Sequence, residues 1–275
     1  MVSGRDRPSG PRTRGITVKS AKELELMSRA GWVVAQAKAR LREAVAPGVT
    51  TGELDSIAAE ELARLGATSS FKGYTGVGAP PFPGTICASV NEEIVHGIPG
   101  DRVLQEGDIV SLDVGAIVCG FHGDSAFTCA VGSVSEERQR LIDATREALR
   151  LGIAEARAGA RIGDISAAVE SHAVHLGYSV VRQYVGHGIG RQMHEEPQVP
   201  NYGVAGRGPL LREGMTIAIE PMLNIGTWET AQLDDGWTVV TADGNVSAHF
   251  EDTIAITSNG ARILTSLDVD LSQRS

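Results

Sequence analysis

A chain of 275 residues with 34 acidic against 25 basic side chains, a net charge of -9 and 42% hydrophobic content reads as globular, long enough to bury a full core without staples. The acidic balance disfavours generic nucleic-acid binding, no apolar run approaches the ~18 residues of a membrane span, and the beginning lacks a secretory hydrophobic stretch. Three cysteines, Cys87, Cys119 and Cys129, cannot all pair and show no Cys-x-x-Cys spacing, so a reducing, cytoplasmic setting is expected and a thiolate zinc site is not.

Residues 1–15 carry Arg5, Arg7, Arg12 and Arg14 among prolines and glycines, the chemistry of a flexible basic tail. From residue 16 to 275 a single domain is expected. Ser20 with Glu23 three residues on forms a capping box. Leu24, Met27, Val34, Leu41 and Val45 then mark one helical face, which Pro47 and Gly48 end. A second helix is expected from a Thr51 cap to Leu65, with Leu54, Ile57, Ala58 and Leu62 inward and Gly66 as its stop. Residues 70–132 hold short apolar runs bounded by glycine, which read as strands. A helix pair recurs, lined first by Leu141, Ile142, Leu149 and Ile153, then by Ile165, Ala168, Val169, His172 and Leu176, and strands follow again.

The 33 glycines, well above the usual share of about 7%, punctuate the two halves alike. Gly48, Gly52 and Gly66 stand 111 positions before Gly159, Gly163 and Gly177. At an offset of 107, Glu106, Gly107 and Asp113 in EGDIVSLD match Glu213, Gly214 and Glu220 in EGMTIAIE, so each half is expected to end a strand with a carboxylate. Two copies with strands between helices predict an α+β domain of two related halves, with any shared site at their junction.

Asp113 lies in an almost wholly apolar run, where an ionised carboxylate is costly unless something cationic meets it. Asp124 is placed across a hairpin from it. Glu220 and Glu251 repeat the anomaly, and His187 stands among glycines that leave its imidazole unobstructed. Four carboxylates and one imidazole form a hard, oxygen-rich donor set suited to Mn, Fe, Co or Zn in an open site. A majority of carboxylates suggests bridging between two cations. Singly, each has a plainer reading as a surface, turn or structural residue. His172 is expected at a core boundary and His175 in solvent, while His122 and His249 flank acids without an assigned role. The Gly186–Gly190 run lacks the spacing and lysine of a phosphate loop.

The stretch YVGHGIGRQMHEEPQVPNY, Tyr184 to Tyr202, resembles the signature of type I methionine aminopeptidases. NEEIVHGIP at Asn91, IVSLDVG at Ile109, GFHGD at Gly120, IEPM at Ile219 and FEDT at Phe250 follow in family order. The resemblance implies the "pita-bread" fold, two pseudo-symmetric halves with a curved, mainly antiparallel sheet covered by helices, and makes residues 16–275 one catalytic metallopeptidase domain. It implies that Asp124, His187, Glu220 and Glu251 hold one divalent ion and Asp113, Asp124 and Glu251 the other. A hydroxide between them would attack the carbonyl after an initiator methionine when the second residue is small (Ala, Gly, Ser, Thr, Val, Pro or Cys). Glu220 is the implied proton shuttle, with His96 and His194 contacting substrate. Tyr74, Phe82, Cys87, Met193 and Trp237 match the methionine pocket. Two departures fall there: Met193 stands for the usual phenylalanine, and Val77 to Pro81 reads as an insertion.

The implied partners are nascent polypeptide N-termini, with the ribosome a further candidate through the arginine-bearing tail. No membrane and no sequence-specific nucleic acid is expected, and a monomer is the default. A proline-specific relative normally carries a large extra N-terminal domain, which fifteen residues do not supply. The type II enzymes carry a helical insertion, whereas His194 and Glu220 are 26 positions apart. A binding module that has lost its metal ligands would not retain all five.

Overall fold

The computed structural model describes residues 15–76 and 78–268, and the expected basic tail falls almost wholly outside the described residues. Helix α1, Ala21–Ala44, begins at the reciprocal Ser20–Glu23 cap and buries Met27, Ala30, Val34, Ala37 and Leu41 along one stripe. Helix α2, Thr51–Arg64, is capped one residue earlier than expected. Thr50, not Thr51, has the glutamate at the third helical position, Glu53, and its hydroxyl takes the Glu53 N–H. Helix α3, Glu136–Glu155, starts at Ser135, and α4 spans Ile162–His175. Along α4 Ile165 and Val169 are buried as expected, but Leu176 is 48% exposed because the helix has ended before it.

The glycine correspondences are hydrogen-bond correspondences. The Gly48 N–H donates to Leu104 O at 2.8 Å, and the Gly159 N–H to Leu211 O at 3.0 Å. Isolated bridges pair Thr50 with Val103 and, at the same two offsets, Arg161 with Leu210. Gly66 and Gly177 each follow a helix at φ +70° and +82°, a conformation that side chains resist.

In the first half the strands Cys87–Val90, Ile109–Val118 and Phe121–Ala130 are antiparallel. Asp113 lies in the middle of its ten-residue strand rather than at its end. Opposite it stands Ala126, and Asp124 faces Gly115, so the strand period of two puts both aspartates on one face. The second half runs, in spatial order, Gly260–Ile263, Asp252–Thr257, Thr216–Ile219, Gly186–Gly188 and Glu195–Val199, again antiparallel. Glu220 directly follows the last residue of its strand, Ile219. Ala126 and Glu251 join the halves by exchanging backbone bonds, Ala126 N–H to Glu251 O at 3.3 Å and Glu251 N–H to Ala126 O at 3.0 Å. Thr253 Oγ1 takes the Asp124 N–H at 3.1 Å and donates back to Asp124 O at 2.8 Å.

One apolar core runs under all four helices and both half-sheets, including Val34, Leu54, Leu112, Phe127, Leu141, Val169, Ile217 and Ile254. Helix α1 presses directly on the strand of Asp124. A methyl group placed on Gly123 would lie 2.8 Å from Gly31 N and 2.9 Å from Ala30 C, so only glycine lets helix and strand approach this closely.

Candidate metal centre

The seam between the halves gathers the acids that the sequence scatters. Ligand atoms of Asp124, His187 and Glu251 all lie within 4.8 Å of one another. His187 Nε2 is 3.5 Å from Glu220 Oε1 and 3.9 Å from Asp124 Oδ2. Asp124 and Glu251 are 3% and 2% exposed, while Asp113 and Glu220 keep part of their surface open. His187 Nδ1 is 3.0 Å from the Gly188 carbonyl. A carbonyl can only accept, so Nδ1 carries the hydrogen and the Nε2 lone pair faces the carboxylates. Asn201 Nδ2 donates to Glu220 O at 2.9 Å and fixes the backbone from which that carboxylate hangs.

Electrostatically the cluster is incomplete. Burial pushes the Asp113 carboxyl up to about 6, and burial with the Asp113 charge pushes Glu220 up to about 8. Asp124 and Glu251 rise well above the carboxylate range, chiefly through burial, with the Asp113 and Glu220 charges adding to both and the Asp124 charge to Glu251. Asp113 Oδ1, Asp124 Oδ1 and Glu251 Oε1 are buried without a hydrogen-bond partner. The cation expected to meet Asp113 is not a side chain paired with it. Lys38 acts on it through space, but its ammonium is held by Ser125 Oγ and lies 3.7 Å from Asp252 Oδ1, on the residues that follow Asp124 and Glu251 in the chain. Buried orphan oxygens of like charge around a free imidazole lone pair suit a divalent cation, which supplies the missing positive charge and coordination together.

Beside the acids stands a wall of rings. His194 lies 4.4 Å from His187 and 5.7 Å from Tyr74 between centroids, and its Nδ1 is 3.0 Å from the Tyr74 hydroxyl. Trp237 meets Tyr74, Phe82 and His96 edge to face at 6.4, 5.3 and 6.3 Å. Cys87 pairs with Asp113 across the strands, and Met193 packs with Phe121, Ile189 and the partly buried Phe71 and Tyr74. Within the segment read as an insertion, Pro80 O accepts the Trp237 Nε1–H at 2.8 Å. His96 sits at φ +61°, a strained setting for a non-glycine residue and one that recurs at functional sites. Burial lowers its imidazole to about 4 and drives His194 well below its usual value, so both rings are neutral near pH 7.

Sequence reasoning gave no role to Tyr184, whose ring lies 5.6 Å from His96, or to Lys38 and Glu195. Lys38 had a signal: a lysine within the apolar stripe of α1 is as anomalous as an aspartate in an apolar strand. Of the two histidines left without a role, His249 is 2% exposed, and His122 Nδ1 lies 2.9 Å from Ser70 Oγ. His175 is exposed as expected.

A pseudo-symmetric pita-bread fold with a buried acid–imidazole cluster at its seam is the architecture of a class of metallopeptidases. The profile of metallopeptidase family M24 matches residues 25–258. Methionine aminopeptidase 1 of Bacillus subtilis (strain 168) is 50% identical over 250 residues, 91% of this chain and 99% of its own. The crystal structure of methionine aminopeptidase from Thermotoga maritima superposes with a TM-score of 0.89 at 45% identity, covering 92% of this chain and 100% of that one. Prolidase from Pyrococcus furiosus shares the fold alone, at a TM-score of 0.72 and 23% identity over 90% of this chain and 65% of its own. The chain belongs to metallopeptidase family M24 and, within it, to the type I methionine aminopeptidases. Among the described residues no helix is long and apolar enough to cross a membrane.

Proposed function

We propose that this protein hydrolyses the bond after the initiator methionine of nascent chains whose second residue is small. The observation that carries this reading is the set of buried, unpartnered oxygens on Asp113, Asp124 and Glu251 around His187, beside a ring-lined apolar wall. Asp124, His187, Glu220 and Glu251 would hold one divalent cation, and Asp113 with Asp124 and Glu251 a second. When bound, the cations supply Lewis acidity, polarising the scissile carbonyl and acidifying a water.

The remaining work falls to the chain. Tyr74, Phe82, Cys87, Met193 and Trp237 take the methionine side chain, whose thioether packs well on aromatic edges. With the Tyr74 hydroxyl donating to His194 Nδ1, the hydrogen of the neutral ring sits on Nε2, free to donate to an oxyanion. His96, neutral on its strained turn, hydrogen-bonds the scissile amide in this reading. Glu220, partly open, carries the proton from water to the leaving amine. The unpaired thiols Cys87, Cys119 and Cys129 suit a reducing cytoplasm, where N-termini emerging from the ribosome are the substrate and the protein acts as a monomer.

Incubating the purified protein with Met-Ala-Ser and Leu-Ala-Ser, with manganese or with chelator, tests the reading. Cleavage of the first alone, abolished by chelation, is expected. Equal cleavage of both, or cleavage indifferent to chelator, refutes it, and strong preference for a Met-Pro dipeptide moves the assignment to a proline-specific peptidase.

A further inference from the structure

The segment that leads into α1 has an unusual economy. Ile16 and Val18 point outward, 40% and 55% exposed, so apolar burial does not explain why residues 16–19 lie ordered against the body. The intervening side chains point in. Thr17 Oγ1 donates to Glu195 Oε2 at 2.6 Å, and Lys19 Nζ donates to the same oxygen at 2.7 Å and also to Thr17 Oγ1. The Lys19 and Glu195 side chains are 6% and 3% exposed, and the segment is tied to the second half by Lys19 N–H to Gly214 O at 2.7 Å.

Glu195 directly follows His194. Its other oxygen, Oε1, takes the Gln192 N–H at 3.2 Å, which closes a loop holding only Met193 and His194 between. The pair is wedged against the backbone: a methyl group on Gly190 would come within 2.6 Å of both Glu195 Oε1 and Lys19 Cε. Gly190 O in turn accepts the His122 N–H at 2.8 Å. His194 is thus held from one side by the Tyr74 hydroxyl and from the other by a carboxylate whose side-chain partners come from residues 17 and 19. Paired charges this deeply buried are costly to assemble and severe to break, so they fix one geometry where they occur.

We propose that Thr17 and Lys19 are positioning residues that act through Glu195 to aim His194 at the substrate. The inference deepens the proposed function, since it rests on His194 facing the scissile carbonyl. A structural strap and a positioning strap differ in what they move: the first changes only stability, the second the ring of His194 and the rate of the chemical step.

The experiment uses the full chain with Lys19→Met, Lys19→Arg and Thr17→Val. Histidine ring resonances are recorded at one pH in metal-free protein, with His194 assigned by His194→Gln, and kcat and KM are measured on Met-Ala-Ser with manganese. The expected result is displacement of the His194 ring signals in Lys19→Met and, by less, in Thr17→Val, with those of His172 and His175 unmoved. In Lys19→Met kcat falls about tenfold at nearly constant KM, as for a catalytic group shifted by a fraction of an ångström, and Lys19→Arg recovers most of it. His194 signals that coincide with wild type in both variants overturn the proposal, as does an unchanged kcat where the ring has moved. Should Lys19→Met not fold, Thr17→Val, which loses one neutral donor, decides the same question. If the wild type cleaves no methionyl peptide, the proposed function fails while the ring signals still judge whether the strap positions His194.

Discussion

The contact of α1 with the strand of Asp124 makes Gly123→Ala an informative change. The added methyl would meet three backbone atoms, Gly31 N, Ala30 C and Gly31 Cα, at 2.8, 2.9 and 3.0 Å. Backbone cannot swing aside as a side-chain tip can, so helix and strand must part by about 0.6 Å to restore a contact of 3.4 Å. Overpacking of this kind costs about 1–3 kcal/mol, offset by about 0.4–1 kcal/mol from the stiffer unfolded chain. The net of about 1–2 kcal/mol lowers Tm by roughly 2–8 °C for a chain of this length. Metal binding suffers more, because ligand distances tolerate only about ±0.2 Å and Asp124 is the next residue. Manganese affinity is expected to fall at least about tenfold, the range seen when a residue supporting a metal ligand is changed. Calorimetric melting and manganese titration of one preparation measure both effects. Gly100→Ala is the control, since its methyl meets nothing within 4 Å. Wild-type manganese affinity in Gly123→Ala, or a Tm equal to that of the control, refutes the reasoning.

Two further outcomes follow from the same charges and caps. Manganese at about 100 times its dissociation constant stabilises the chelated protein by about 2.7 kcal/mol, a rise in Tm of roughly 5–10 °C that chelator reverses; a melting curve indifferent to manganese removes the metal from the account. At the caps, the Ser20 N–H and hydroxyl hold the Glu23 carboxyl below its ordinary value, and the Arg161 and Gly206 N–H groups do the same for Asp164. Their folded pKa values are depressed, so their stabilisation is complete above the ordinary carboxylate range and is lost as pH falls through the depressed values. Glu23→Ala and Asp164→Ala therefore lower Tm at pH 7 and progressively less toward pH 3, and a gap between variant and wild type that does not narrow contradicts the cap assignment.

What was legible in the sequence was what local chemistry or repetition writes into it. Ser20 and Glu23 specify a helix start within four residues, and Gly66 and Gly177 specify stops because few other residues adopt their backbone. Asp113, Asp124, Glu220 and Glu251 were conspicuous because charge is expensive in apolar strands. The misreadings have equally physical causes. Choosing between Thr50 and Thr51 needed the position of Glu53 relative to the helix start, and placing Asp113 at a strand end underestimated how far a buried hairpin runs. The link between Lys19 and Glu195 left no trace because it joins positions 176 apart, and neither residue is unusual among its neighbours.

The seam at Ala126 and Glu251 also decides what the molecule is able to do in pieces. On the proposed assignment Asp113 and Asp124 come from the first half, and His187, Glu220 and Glu251 from the second, so neither half alone holds the complete set however well it folds. On that assignment, full cation capture reports that the two lobes have met in register, and its loss that they have slipped.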